Sequence, residues 1–238
     1  MRKLRLPVLS ALAVVLFAAA EPARAGAGDC ILDHCADRAT PSQGAQATTG
    51  GGFDFYVLSL SWSAGFCETV GARRPAAQCA PGAGQGFVVH GLWPQSETGF
   101  LNDCPGASAP SRIALDHVKG LYPDEGLARH EWRKHGTCSG KSPSDYFADV
   151  ASARARVVVP APFEKPAAAQ TFSPIDVERA FIAANPGLRM GMISVGCRQG
   201  VLEDVKICFS KDLRDFRACD DVARRSCHTR EIRVPQPL

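Results

Sequence analysis

From Val57 to Trp62 the chain alternates, with Leu58, Leu60 and Trp62 on one side and Ser59 and Ser61 on the other. A period of two belongs to a strand with one buried face. The aromatic residues from Phe53 onward carry that strand back toward the N-terminus. Cys67 to Gly86 is rich in Gly, Pro and Ala and reads as a loop that a Cys67–Cys79 bridge could staple. Phe87-Val88-Val89-His90 is a second, short strand, ending at Gly91 and Pro94. Ser111 to Leu121 places Ile113, Leu115 and Val118 at helical spacing. Asp124 can cap a helix that runs to about Lys134 and stops near Gly136. A further helix is expected over Ser144–Arg156. Val157 to Pro174 is irregular, with four prolines, the last of which opens a helix through Ala184. Met192–Cys197 and Val201–Phe209 then form a hairpin around Arg198-Gln199-Gly200. Strands first, helices in the middle and a hairpin last predict an α+β fold: a mainly antiparallel sheet with several helices packed on it. No linker interrupts 53–238, so a single domain is expected there.

What precedes that domain has a different character. Arg2, Lys3 and Arg5 lead into an uncharged, mainly apolar run of 13 residues, Val8 to Ala20, and Ala23-Arg24-Ala25 follows. This is the pattern of a secretory signal over residues 1–25. A short membrane anchor is the alternative, disfavoured by Glu21, Pro22 and Arg24 directly after the run. Residues 26–52 read as a flexible leader, with Thr40 to Gly52 rich in Gly, Thr, Gln and Pro. The whole chain of 238 residues carries a formal charge of +3, but residues 26–238 hold 23 basic and 23 acidic side chains. An anion-binding site must therefore draw on local charge. Ten cysteines all lie beyond residue 25. An even number in an exported chain points to disulfides, and the lack of any Cys-x-x-Cys pair weakens a zinc reading. Spacing alone does not assign the partners.

Two segments carry the candidate chemistry. In His130-Glu131-Trp132-Arg133-Lys134-His135, read as a helix, His130, Glu131, Lys134 and His135 fan over roughly 140° of one side. Two imidazoles, an ammonium and a carboxylate facing one space suit a phosphate that gains charge in its transition state. A charged surface helix with Glu131 pairing Lys134 is the plainer account. A zinc site is poorly matched, because the second histidine stands one place later than His-Glu-x-x-His requires. The other segment is His90-Gly91-Leu92-Trp93-Pro94. It puts His90 at the expected strand end, with Trp93 able either to pack in the core or to stack on a base.

Phe87-Val88-Val89-His90-Gly91-Leu92-Trp93-Pro94 and His130-Glu131-Trp132-Arg133-Lys134-His135-Gly136-Thr137-Cys138 closely resemble the two active-site segments of the ribonuclease T2 family, in the same order and 40 residues apart. The resemblance spans roughly 53–230. It implies a disulfide-stapled α+β fold and a secreted or periplasmic endoribonuclease. Such an enzyme cleaves single-stranded RNA by transphosphorylation to 2′,3′-cyclic phosphate ends, which are then hydrolysed to 3′-phosphates. It needs no metal and no cofactor. Carried over residue by residue, His90 is the general acid, His135 the general base, and Glu131 an assisting carboxylate. Lys134 and His130 hold the phosphate, and Trp93 helps bind base or ribose. The pairs Cys67–Cys79, Cys104–Cys138, Cys197–Cys227 and Cys208–Cys219 are implied as well, with Cys30–Cys35 left over. An imidazole titrates near neutrality, so one can be neutral while its partner is charged. DNA lacks the 2′-hydroxyl and should bind without being cut. A monomer free of the membrane after signal removal is expected. A secreted RNA binder without catalysis, or a zinc hydrolase, are the competing readings.

Overall fold

A computed structural model describes residues 52–71, 76–106, 108–164 and 166–238. The expected export signal, the leader as far as residue 51, and Cys30 and Cys35 lie outside the described residues.

The alternating segment forms β1 (Phe55–Trp62). It runs antiparallel to β2 (Phe87–Ser96) on one side and to β6 (Val201–Ser210) on the other. With β3 (Gly99–Phe100), β4 (Gln170–Phe172), β5 (Ile193–Arg198) and β7 (Ile232–Val234) they build a seven-stranded sheet ordered β3-β2-β1-β6-β7-β4, with β5 also paired to β6. All pairings are antiparallel except one parallel bridge, Val201 to Arg233. The β5–β6 hairpin closes on Gln199 and Gly200, both at positive φ (53° and 77°), the backbone that matches the twist of the flanking strands.

One face of the sheet builds the main core. Tyr56, Leu58, Leu60 and Trp62 of β1 lie there with Val89, Leu92, Val205, Ile207 and Phe209. Over them pack α2 (Arg112–Asp116), α3 (Glu125–Lys134), α4 (Pro143–Ala155) and α5 (Pro174–Ala184), which contribute Leu115, Trp132, Tyr146, Phe147 and Phe181. Each large side chain so buried contributes roughly 1.5–3 kcal/mol. The helix starts are those the local chemistry dictates: Asp124, Ser142 and Ser173 each accept a backbone N–H of the first turn, and Pro143 and Pro174 occupy the first helical position. The opposite sheet face carries a smaller cluster of Phe55, Val57, Cys208, Cys219 and Val222, on which Trp93 packs. Cys219 and Val222 come from the segment around α6 (Asp220–Ala223).

The structure departs from the sequence reading in several elements, and the stretch read as irregular from Val157 holds β4. The second strand does not end at Gly91 and Pro94 but continues through both to Ser96. Pairing with β1 offsets the local preferences of Gly and Pro, and the other edge of β2 is flanked only by the two-residue β3. The helix expected over 111–121 is regular only from Arg112 to Asp116, and Ile113 is 73% exposed while Ala114, Leu115 and Val118 are buried. Gly120, at positive φ, stops the helical run. The stretch taken as loop from Cys67 begins inside α1 (Ser63–Thr69). Cys67 is bonded to Cys79, Cys104 to Cys138, Cys197 to Cys227 and Cys208 to Cys219, the four pairs that the resemblance implies.

Candidate active site

His90 owes its position to an irregularity in the sheet. Ser59 pairs with Gly91 and Leu60 with Val89, so the register between β1 and β2 shifts at His90. A bulge of this kind bends the strand and re-aims the extra side chain. The histidine therefore sits mid-strand, not at a strand end, and is turned toward α3. It is 6% exposed. No alternation in the sequence signals the bulge, because it arises from the register between two strands.

The second histidine comes from the end of α3. His135 is the cap residue, with its N–H bonded to the carbonyl of Glu131, and its backbone has already left helical geometry (φ −125°, ψ −41°). The four residues read as one helix face thus divide. Glu131 points inward and is fully buried, His135 is buried at the cap, and His130 and Lys134 are half-buried.

Trp93 joins the two segments. Its indole Nε1–H donates to Glu131 Oε2 at 2.8 Å, and Glu131 Oε1 lies 3.6 Å from His90 Nε2. The indole also contacts both imidazoles, with ring centroids 5.4 Å from His90 and 5.2 Å from His135. The ring packs on the small cluster and also lies against both imidazoles. Gly91 makes this approach possible. A Cβ there would fall 2.2 Å from Glu131 Oε2 and 2.4 Å from Trp93 Nε1. The Glu131 charge reaches inward too. Burial pushes the Tyr122 hydroxyl well above its ordinary value, and the nearby Glu131 carboxylate adds to that rise.

A loop after β3 covers the outer side. Cys104–Cys138 ties it to the turn following α3, and Asp103 N–H donates to the Lys134 carbonyl at 2.7 Å. His135 Nδ1 lies 3.4 Å from the Leu101 carbonyl. The Lys134 ammonium, 14% exposed, pairs with the Asp103 carboxylate. Asp103 escaped the sequence reading. It stands beside Cys104, and only the bridge to Cys138 brings it to Lys134. Among the described residues no group of three or more His, Cys, Asp and Glu side chains is arranged to hold a metal ion. A cleft of about 360 Å³ opens on the same sheet face, lined by Phe55, Gln95, Phe100 and Arg217 among others.

Two imidazoles flanking one indole, with a buried carboxylate and a paired lysine beside them, can give and take protons around a phosphodiester. Both segments fall within the part of the chain that matches known proteins. Residues 53–219 match the Ribonuclease T2 family. A ribonuclease of Aeromonas hydrophila is 33% identical over 175 residues, covering 72% of this chain and 78% of that protein. An RNase-related protein from Calystegia sepium has the same fold, with TM-score 0.61 at 20% identity over 78% of this chain and 98% of that one. So has a ribonuclease MC1 variant in complex with 5′-UMP, with TM-score 0.60 at 23% identity over 76% and 97%. Motif, family match and fold all run through the same segments, and the chain belongs to the ribonuclease T2 family.

Proposed function

We propose that this ribonuclease cleaves single-stranded RNA internally without a metal, using His135 as base and His90 as acid. His135 takes the proton of the ribose 2′-hydroxyl as that oxygen bonds to phosphorus. The bond from phosphorus to the 5′-oxygen breaks, and His90 gives that oxygen a proton. The product ends are a 2′,3′-cyclic phosphate and a free 5′-hydroxyl. Water then opens the cycle with the two proton transfers reversed, leaving a 3′-phosphate. The observation that carries this reading is the contact of both imidazoles with the Trp93 indole. The two histidines stand 45 positions apart in the chain. Each positioned proton transfer supplies roughly 10²–10⁴-fold.

Glu131, held by the indole N–H, orients His90. Lys134 and His130 stabilise the charge that grows on the phosphate, and the phosphate competes with Asp103 for the Lys134 ammonium. The internal nucleophile is the 2′-hydroxyl, so no metal-activated water is needed and DNA remains uncut. Export to an oxidising compartment, outside the cell or in a periplasm, is part of the same reading and is supported by four bonded cysteine pairs.

The test is incubation of the protein with dinucleotides and oligonucleotides in excess EDTA, with the ends identified. Cyclic phosphate ends are expected, with a bell-shaped pH dependence of kcat/KM. His90→Phe and His135→Phe should each lower turnover by at least about 10³-fold with little change in affinity. Activity abolished by EDTA, or full activity in either variant, would overturn the mechanism.

A further inference from the structure

The neutral balance of the domain leaves open which cations meet the RNA chain on either side of the cut. One lysine outside the two motif segments is built for that. Ser59 pairs with Gly91 on β2 and with Lys206 on β6, and Val57 pairs with Trp93. Cross-strand partners share a face, so Lys206 rises from the same side of the sheet as the Trp93 indole. Its ammonium lies 6.0 Å from the indole centroid. Lys206 is rooted two strands away from Gly91, roughly 9–10 Å by ordinary strand spacing. It reaches the indole from a strand that carries neither motif segment.

The lysine is held in place. Its Nζ lies 2.7 Å from Asp204 Oδ2, two residues along the same strand and the same face. The Lys206 side chain is 29% exposed, whereas that of Asp204 is 8% exposed. Asp204 fits only because its cross-strand neighbour is Gly196, where a Cβ would fall 2.2 Å from Asp204 Oδ1. A buried carboxylate thus anchors an accessible ammonium, limiting the freedom that a surface lysine loses on binding. The cation stands over the indole that touches both imidazoles.

We propose that Lys206, anchored by Asp204 over Gly196, binds the RNA phosphate next to the one being cut. The proposal rests on the ribonuclease reading of the same site. It predicts a length-dependent defect, because a dinucleoside monophosphate has only the scissile phosphate and an oligonucleotide has flanking ones. In Lys206→Met, kcat/KM for a hexanucleotide should fall about five- to tenfold more than for a dinucleotide. The slope of log KM against log salt should become shallower by about 0.7, the signature of one lost phosphate contact to a single strand. Lys206→Arg should restore both. If Lys206→Met leaves Asp204 stranded and unfolds the protein, the Asp204→Asn/Lys206→Met pair removes the stranded charge and reads the same quantities.

Binding of a 2′-deoxy hexanucleotide, which cannot be cleaved, separates the two levels of the argument. Wild type that binds it more tightly than Lys206→Met but cuts no RNA supports the phosphate contact and overturns the ribonuclease mechanism. Equal losses on dinucleotide and hexanucleotide, or no loss on either, overturn the Lys206 assignment and leave the mechanism standing.

Discussion

At the scale of single residues, the site depends on side chains that fit at close quarters. Gly91 is the clearest case, since a methyl group there would displace either the Glu131 carboxylate or the indole that binds it. Gly91→Ala should fold, bind RNA and lose turnover by at least about 10²-fold, as expected when a catalytic group moves by an ångström. Circular dichroism and kcat on one preparation check this. Trp93→Phe keeps an aromatic surface but removes the N–H donor to Glu131. A loss of about tenfold in kcat is expected, the size of one hydrogen bond to a charged group, and unchanged kcat would remove Glu131 from the role of orienting His90. The motif letters announced His90, Trp93, Glu131 and His135. They did not announce Asp103, whose meeting with Lys134 depends on a disulfide and a loop.

At the scale of elements, the caps and turns were legible and the irregularities were not. Asp124 at the start of α3, Pro174 at the start of α5 and Gln199-Gly200 in the last hairpin are local signals, and each element begins or turns where they stand. The continuation of β2 past Gly91 and Pro94, and the bulge at His90, could not be read the same way, because partner strands impose them. β4 and β7, three residues each, have too little pattern of their own to be seen. The Cys104–Cys138 bridge closes the loop over Lys134 and His135 across a sequence separation of 34. Replacing both cysteines with Ala should cost roughly 2–4 kcal/mol of stability. It should also lower kcat/KM beyond what the same destabilisation causes elsewhere, for instance the ~1 kcal/mol expected for Asp124→Ala. Denaturant melts and kinetics on the two variants make the comparison, and equal activity would mean that the loop contributes only to stability.

At the scale of the whole molecule, the sheet face under α2 to α5 is core, the other carries the indole and Lys206, and α3 brings Glu131 and His135 to that indole. Stability also has a pH dependence set away from the site. Glu178 of α5 is buried against Ser226, and burial raises its carboxyl above the ordinary value despite that hydrogen bond. A raised acid favours the protonated form in the folded state. Its contribution is therefore complete below the ordinary glutamate range and is lost as pH climbs through the raised value. Glu178→Gln should flatten the fall in melting temperature across that window, without shifting the pH profile of kcat.

The sequence by itself determined the class of fold, the helix starts and the catalytic vocabulary, because alternation, caps and a short run of chemistry-bearing residues are properties of neighbours along the chain. The tertiary structure alone decided that His90 sits at a bulge, that one indole touches both imidazoles, that Asp103 meets Lys134 and that Lys206 lies over the indole. Those facts depend on strand register and on loop closure, which relate residues that no local pattern connects.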